Sequence, residues 1–79
     1  MFSQYDPLQK YEMECELVAM AVQSMIVCAE SGSFQLAAEA LRAGQLHAEY
    51  KQQALAACRA AGISEAEIQA AATRVRTES

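Results

Sequence analysis

The sequence LVAMAVQSMIVCA, residues 17–29, decides the fold of this chain, because eleven of its thirteen residues are apolar. Only Gln23 and Ser24 interrupt the run. It is shorter than the roughly 20 residues that cross a bilayer, and Glu16 and Glu30 flank it directly. We therefore expect a helix that packs against protein, and no membrane insertion.

Capping signals place the first helix at about residues 7–30. Asp6 can accept hydrogen bonds from the first free N–H groups, and Pro7 suits the first helical position. Gln9, three residues after Asp6, completes a capping-box pattern. Gly32 predicts the end of the helix, because a C-terminal cap favours the left-handed conformation that glycine adopts.

This helix carries more apolar surface than one short neighbouring helix covers. One set recurs at alternating spacings of three and four, which is typical of helix packing; it comprises Leu8, Tyr11, Cys15, Val18, Val22, Met25 and Ala29. Other apolar residues surround the helix, so its C-terminal half is apolar on most sides. It is either the central helix of a compact bundle or also an interface. The candidate interface residues are Met13, Leu17, Met20, Ala21, Val22, Met25 and Val27.

A second helix is predicted over residues 34–60, with Ser33 as its N-cap. Gly44 leaves open whether this is one helix or two, since the apolar residues before and after it do not share a phase. Glycine within a helix costs only about 1 kcal/mol relative to alanine, so we expect one helix, bent at this point. Its later apolar stripe is expected to be Leu46, Tyr50, Ala54, Ala57 and Ala61.

The stretch SGSFQLAAEAL, residues 31–41, resembles the turn and second helix of a tetratricopeptide unit. Gly32, Phe34 and Ala37 stand where that motif has glycine, an aromatic residue and alanine. Met25 departs from the small residue of the preceding helix, and no second unit follows at a period of about 34 residues. The resemblance therefore implies only an antiparallel helical hairpin.

A short third helix is predicted over about residues 65–76. Gly62 ends the preceding helix, Ser64 caps the next one, and Glu67 completes a second capping box. The expected fold is all-α: an antiparallel hairpin of two long helices plus a short C-terminal helix.

At 79 residues the chain is expected to form a single domain, with frayed ends at residues 1–5 and 77–79. A core of this size usually needs a disulfide framework, a metal or a second subunit. Cys15, Cys28 and Cys58 form no even framework and no secretory signal precedes them, which indicates reduced thiols in the cytoplasm. We therefore expect a homodimeric helical bundle.

The charged and catalytic residue types are few. Ten acidic and six basic residues give a net charge of −4, which does not favour nucleic-acid binding. Glu12, Glu14 and Glu16 are expected to form a solvated face, and His47, the only histidine, to be solvated as well. The cysteines lack the paired spacing of zinc sites. We expect no catalytic, cofactor-binding or metal-binding residues.

Two classes of function remain open. The first is a small non-enzymatic module that binds a larger protein, as do antagonists encoded by phages or plasmids, anti-activators and secretion co-chaperones. The second is a helix-turn-helix-like DNA-binding regulator in which the Gly62 turn and the last helix enter the major groove. Because Glu65 and Glu67 would place acids near phosphates, we favour the first class.

Overall fold

The computed structural model of the chain describes residues 6–78, and side chains over residues 6–74. The first two helices pack against each other as an antiparallel hairpin, and the third packs on both. This confirms the predicted all-α architecture; residues 1–5 and Ser79, where fraying was expected, lie outside the described part. The helices are α1 (Pro7–Glu30), α2 (Phe34–Ala60) and α3 (Glu65–Glu78).

The caps of α1 follow the prediction. The Asp6 carboxylate accepts from the Gln9 N–H at 2.8 Å, and the Gln9 side chain accepts from the Asp6 N–H at 3.4 Å. Gly32 and Gly62 both have φ of 83°, as left-handed positions after helix ends require. Ser33 is the N-cap of α2 but forms no side-chain capping bond, because its φ of −86° and ψ of 68° differ from the extended backbone of a capping serine.

The α3 helix begins as predicted and ends later. The Ser64 hydroxyl accepts from the Glu67 N–H at 3.2 Å, so the predicted Ser64 cap is in place. The Glu67 carboxylate accepts from the same hydroxyl, also at 3.2 Å, and this bond replaces the bond to the Ser64 N–H that the predicted capping box requires. The helix then runs to Glu78, so Thr77, which was expected to fray, is helical. No glycine or proline near this end of the sequence stops it.

The α2 helix continues through Gly44 without a break, but its inward face differs from the predicted one. Leu46 and Tyr50, expected to be buried, are exposed. The inward residues keep one phase along the helix, at spacings of three and four; they are Ala37, Ala40, Gly44, His47, Lys51, Ala54 and Cys58. The apolar residues before and after Gly44 do not share a phase because the inward stripe also contains glycine, histidine and lysine.

The core lies where α3 covers the hairpin. We call this the closed half: the N-terminal half of α1, the C-terminal half of α2, and α3. The buried side chains of its apolar core cluster are Tyr11, Cys15, Ala54, Cys58, Ile68 and Ala71. The remainder of the hairpin, residues 18–48 with the connecting turn, we call the open half, because two helices form it without a third.

The closed half makes the stability of the chain sensitive to alkaline pH. Burial raises the pKa of the Cys58 thiol above its ordinary value of 9.0, and the charge of Asp6 raises it further. Burial also raises the pKa of Tyr11 above 10.0. The folded chain therefore holds these protons more tightly than the unfolded chain, and their stabilising contribution is lost as pH rises through the folded pKa values.

We predict that the free energy of unfolding, measured by urea titration, falls above about pH 9, by up to about 1.4 kcal/mol per pH unit for each group. The Cys58→Ala variant should show a shallower fall, because the thiol whose pKa is raised by burial is gone. Equal wild-type stability at about pH 8 and pH 10, or an unchanged slope in the variant, would contradict this prediction.

Candidate interaction surface

The open half exposes many large apolar side chains. Within residues 6–74, nine such side chains are exposed, and all of them lie between Met20 and Tyr50. The most exposed is Phe34, at 71%. Exposed apolar residues that are scattered along a whole chain are ordinary, but nine confined to one stretch of the hairpin are more typical of a protein that binds others. The nine are Met20, Val22, Ile26, Val27, Phe34, Leu36, Leu41, Leu46 and Tyr50.

The candidate interface residues of α1 fall into three groups. Ala21 faces α2, where a Cβ atom built on Gly44 would lie 3.3 Å from the Ala21 Cβ. Val22 and Met25 line a groove between the two helices. The remaining four, at spacings of four, three and seven, lie about half a turn away from Val22 on what we call the outer face; these are Met13, Leu17, Met20 and Val27.

Met20, Val22 and Val27 are exposed, whereas Met13, Leu17, Ala21 and Met25 are half-buried.

The groove, which we call the open groove, lies between α1 and α2 in the open half and has a volume of about 160 Å³. Gly44 and Ala21 form its floor, where the helices approach closely. Val22 and Leu41, both nearly half exposed, stand on opposite helices. Gln45 is its polar lining residue. The full lining is Val18, Ala21, Val22, Met25, Ala40, Leu41, Gly44, Gln45 and Ala48.

A hydrogen-bonded polar contact joins the two helices near the boundary of the two halves. The Glu14 carboxylate is buried, with one oxygen 2.9 Å from the His47 Nδ1 and the other 3.7 Å from the Lys10 Nζ. The His47 ring also meets Tyr50 edge-to-face, with ring centroids 5.6 Å apart. A buried carboxylate requires such partners, because desolvation disfavours its charge.

The expectation that Glu14 and His47 are solvated is therefore wrong. Glu14 is 3% exposed, and the His47 side chain is 29% exposed. A signal in the sequence could have placed them: Glu14 shares the spacing of Tyr11, Val18 and Ala21 on α1. Each inward stripe contains a polar residue, Glu14 on α1 and His47 on α2, which an apolar pattern does not include.

We predict that His47→Ala lowers the free energy of unfolding by about 1–3 kcal/mol, because the buried Glu14 carboxylate loses its nearest donor. Glu14→Gln should lose less, since an amide can still bond to the imidazole. Glu49→Ala, at an exposed position of the same helix, is the control and should change stability by less than about 0.5 kcal/mol. Urea titration at neutral pH compares the three, and a loss in His47→Ala no larger than the control would refute the role of this contact.

Two ion pairs connect α3 to the hairpin. The Arg59 Nε lies 2.9 Å from Glu65 at the start of α3, and this bond holds the pKa of the Glu65 carboxyl below its usual value. Near the other end, the Arg74 Nε lies 2.7 Å from Glu12 of α1. Because both arginines face carboxylates, these contacts lend no support to DNA binding by α3.

The described residues offer few groups for chemistry. Among the side chains described, those of residues 6–74, no three of the His, Cys, Asp or Glu type are placed to hold a metal ion. Cys15, Cys28 and Cys58 are free, two of them buried. None of the three helices, as far as they are described, is long and apolar enough to cross a membrane. The open groove and the outer face are therefore the surfaces from which a function can be argued.

Comparison with known proteins adds nothing to this conclusion. No protein-family model, no curated protein and no solved structure matches the chain.

Proposed function

We propose that this chain is a small non-enzymatic protein–protein interaction module that acts in the cytoplasm by binding a larger protein through its open half. One observation carries the proposal: the exposed large apolar side chains described in the structure all lie between Met20 and Tyr50. Leaving them in water is unfavourable, by about 25 cal/mol for each Å² of apolar surface. A partner that covers them gains this energy.

The open half also has few charges. Over residues 18–48 the sequence has Glu30 and Glu39 as acids and Arg42 as its lysine- or arginine-type base. Charged residues are depleted in the centre of protein interfaces because burying an unpaired charge is costly. Low charge together with exposed apolar side chains supports binding to protein. Modules of the antagonist, anti-activator or co-chaperone type act in this way.

The proposal includes a homodimer formed through the outer face. Met20 and Val27 lie seven residues apart and are each 58% exposed, with Met13 and Leu17 on the same side of α1. A seven-residue repeat of this kind lets two α1 helices pack side by side around a two-fold axis. Such a dimer would bury the outer face and leave the open groove accessible.

The test compares two triple variants with the same change in charge. Met20→Lys, Val22→Lys and Leu41→Lys charge the apolar surface; Gln23→Lys, Gln35→Lys and Gln52→Lys add the same charge at exposed polar positions. We predict that the tagged wild type and the glutamine variant retain the same partner from the native cell, in stoichiometric amount. The apolar-surface variant should lose it while remaining helical by circular dichroism.

Equal retention by both variants, or none by the wild type, would contradict the proposal. Light scattering on the purified wild type tests the dimer separately. A mass of twice 8.6 kDa is expected, and a stable monomer at micromolar concentration would refute the dimer while leaving partner binding open.

A further inference from the structure

The open groove is the continuation of the groove in which α3 lies. On α1, Tyr11 and Cys15 are buried beneath α3, and the same stripe continues at spacings of three and four to Val18, Val22 and Met25. On α2 the corresponding stripe, followed backwards along the chain, runs through Cys58, Leu55, Lys51, Ala48, Gly44 and Leu41. The hairpin therefore presents one long groove, filled at one end and open at the other.

The length of α3 explains why the groove is half filled. Arg74 lies level with Glu12, and α3 continues for four residues beyond Arg74, which is about 6 Å of helix. Val22 lies ten residues beyond Glu12 on α1, or about 15 Å further along. Val22 therefore lies well beyond the contact between Arg74 and Glu12, and 45% of Val22 is exposed.

The way α3 packs shows what kind of element fits such a groove. Its inward side chains are Ile68, Ala71 and Ala72, one larger aliphatic residue among small ones, at helical spacing. Ile68 and Ala71 are almost completely buried. In the open groove the floor is equally small, formed by Ala21 and Gly44.

We infer that the open groove accepts an amphipathic α-helix of the partner protein, which lies roughly in line with α3 and turns the open half into a three-helix bundle. This inference rests on the proposed function and names the kind of partner element. The open groove spans about 10 Å from Val18 to Met25. Ile26, four residues after Val22, and Phe34, seven before Leu41, extend its rims. The partner helix therefore needs about three turns.

The chemistry of the lining defines the partner helix further. Among the described residues, those that line the open groove carry no charged side chain, and Gln45 is their polar member. The inserted face of the helix must therefore be aliphatic and uncharged, with small residues where it crosses Gly44. A polar or charged residue on that face would be buried without a partner.

A second copy of this chain fits the groove less well than a helix of another protein. The ridge of α1 through which the proposed homodimer forms, Met20 and Val27, lies on the opposite side of that helix from the groove residue Val22. A copy inserted by that ridge would leave its own groove open to the next copy. Contacts of this head-to-tail kind form open chains or rings rather than closed dimers.

The experiment uses the full chain and a synthetic probe. The probe is a hydrocarbon-stapled helical peptide of about 14 residues, with leucine and alanine at positions i, i+3, i+4 and i+7 and no net charge. The control peptide has the same composition with its leucines at every second position. Methyl NMR on the labelled chain is expected to show saturable shifts at Val18, Val22, Met25 and Leu41, and smaller shifts at Met20 and Val27.

Two alanine substitutions on α2 provide matched variants. Ala48→Phe fills the open groove, whereas Ala43→Phe adds the same side chain at an exposed position outside its lining. We expect Ala48→Phe to weaken binding of the probe at least about tenfold and Ala43→Phe to leave it unchanged. Both variants should keep the wild-type helix content.

Three results would overturn the inference: no saturable binding of the probe, equal binding of the control peptide, or shifts confined to the outer face. Groove shifts that follow the concentration of the chain alone would also overturn it, because they would identify a second copy as the occupant. If the probe fails while the glutamine variant still captures a partner that the apolar-surface variant loses, the inference fails and the proposed function stands. If no partner is captured either, both fail.

Discussion

The structure depends on a mismatch of helix lengths. α1 and α2 have 24 and 27 residues, and α3 has 14, so a third helix of about 21 Å lies on a hairpin of about 36–40 Å. It can cover only about half of that hairpin. In the half that α3 covers, Cys58 and Ala71 are completely buried. In the other half, Val22 and Leu41, which continue the inward stripes of α1 and α2, are exposed.

This mismatch places stability and binding in different parts of a small molecule. The closed half holds the core cluster, the Arg59–Glu65 pair and the Arg74–Glu12 pair. The open half is held by the close approach of Ala21 and Gly44 and, at its boundary, by the buried Glu14 with His47. Chains of this size have little stability to spare. Because the core lies in the closed half, the apolar surface of the open half can remain exposed without unfolding the rest of the chain.

Sequence patterns predicted the helices well, because capping residues act locally. Asp6 and Ser64 mark boundaries through their side-chain caps and Gly32 through its left-handed backbone, and all three lie at helix ends. The inward face of α2 could not be obtained from apolar residues, since Gly44 and His47 face α1 only because Ala21 and Glu14 lie opposite them. The open groove likewise depends on where α3 ends relative to α1, a tertiary distance that no local pattern encodes.

Residue-resolved amide hydrogen exchange on the chain, diluted until it is monomeric, tests the central claim most directly. Helix-interior amides of the closed half, residues 11–15 and 54–58, should open with higher free energy than those of the open half, residues 21–25 and 40–44. That result would show that α3 stabilises one half and leaves the other to be completed by a partner. Equal protection in the two halves would contradict the account, because the open half would then be complete without one.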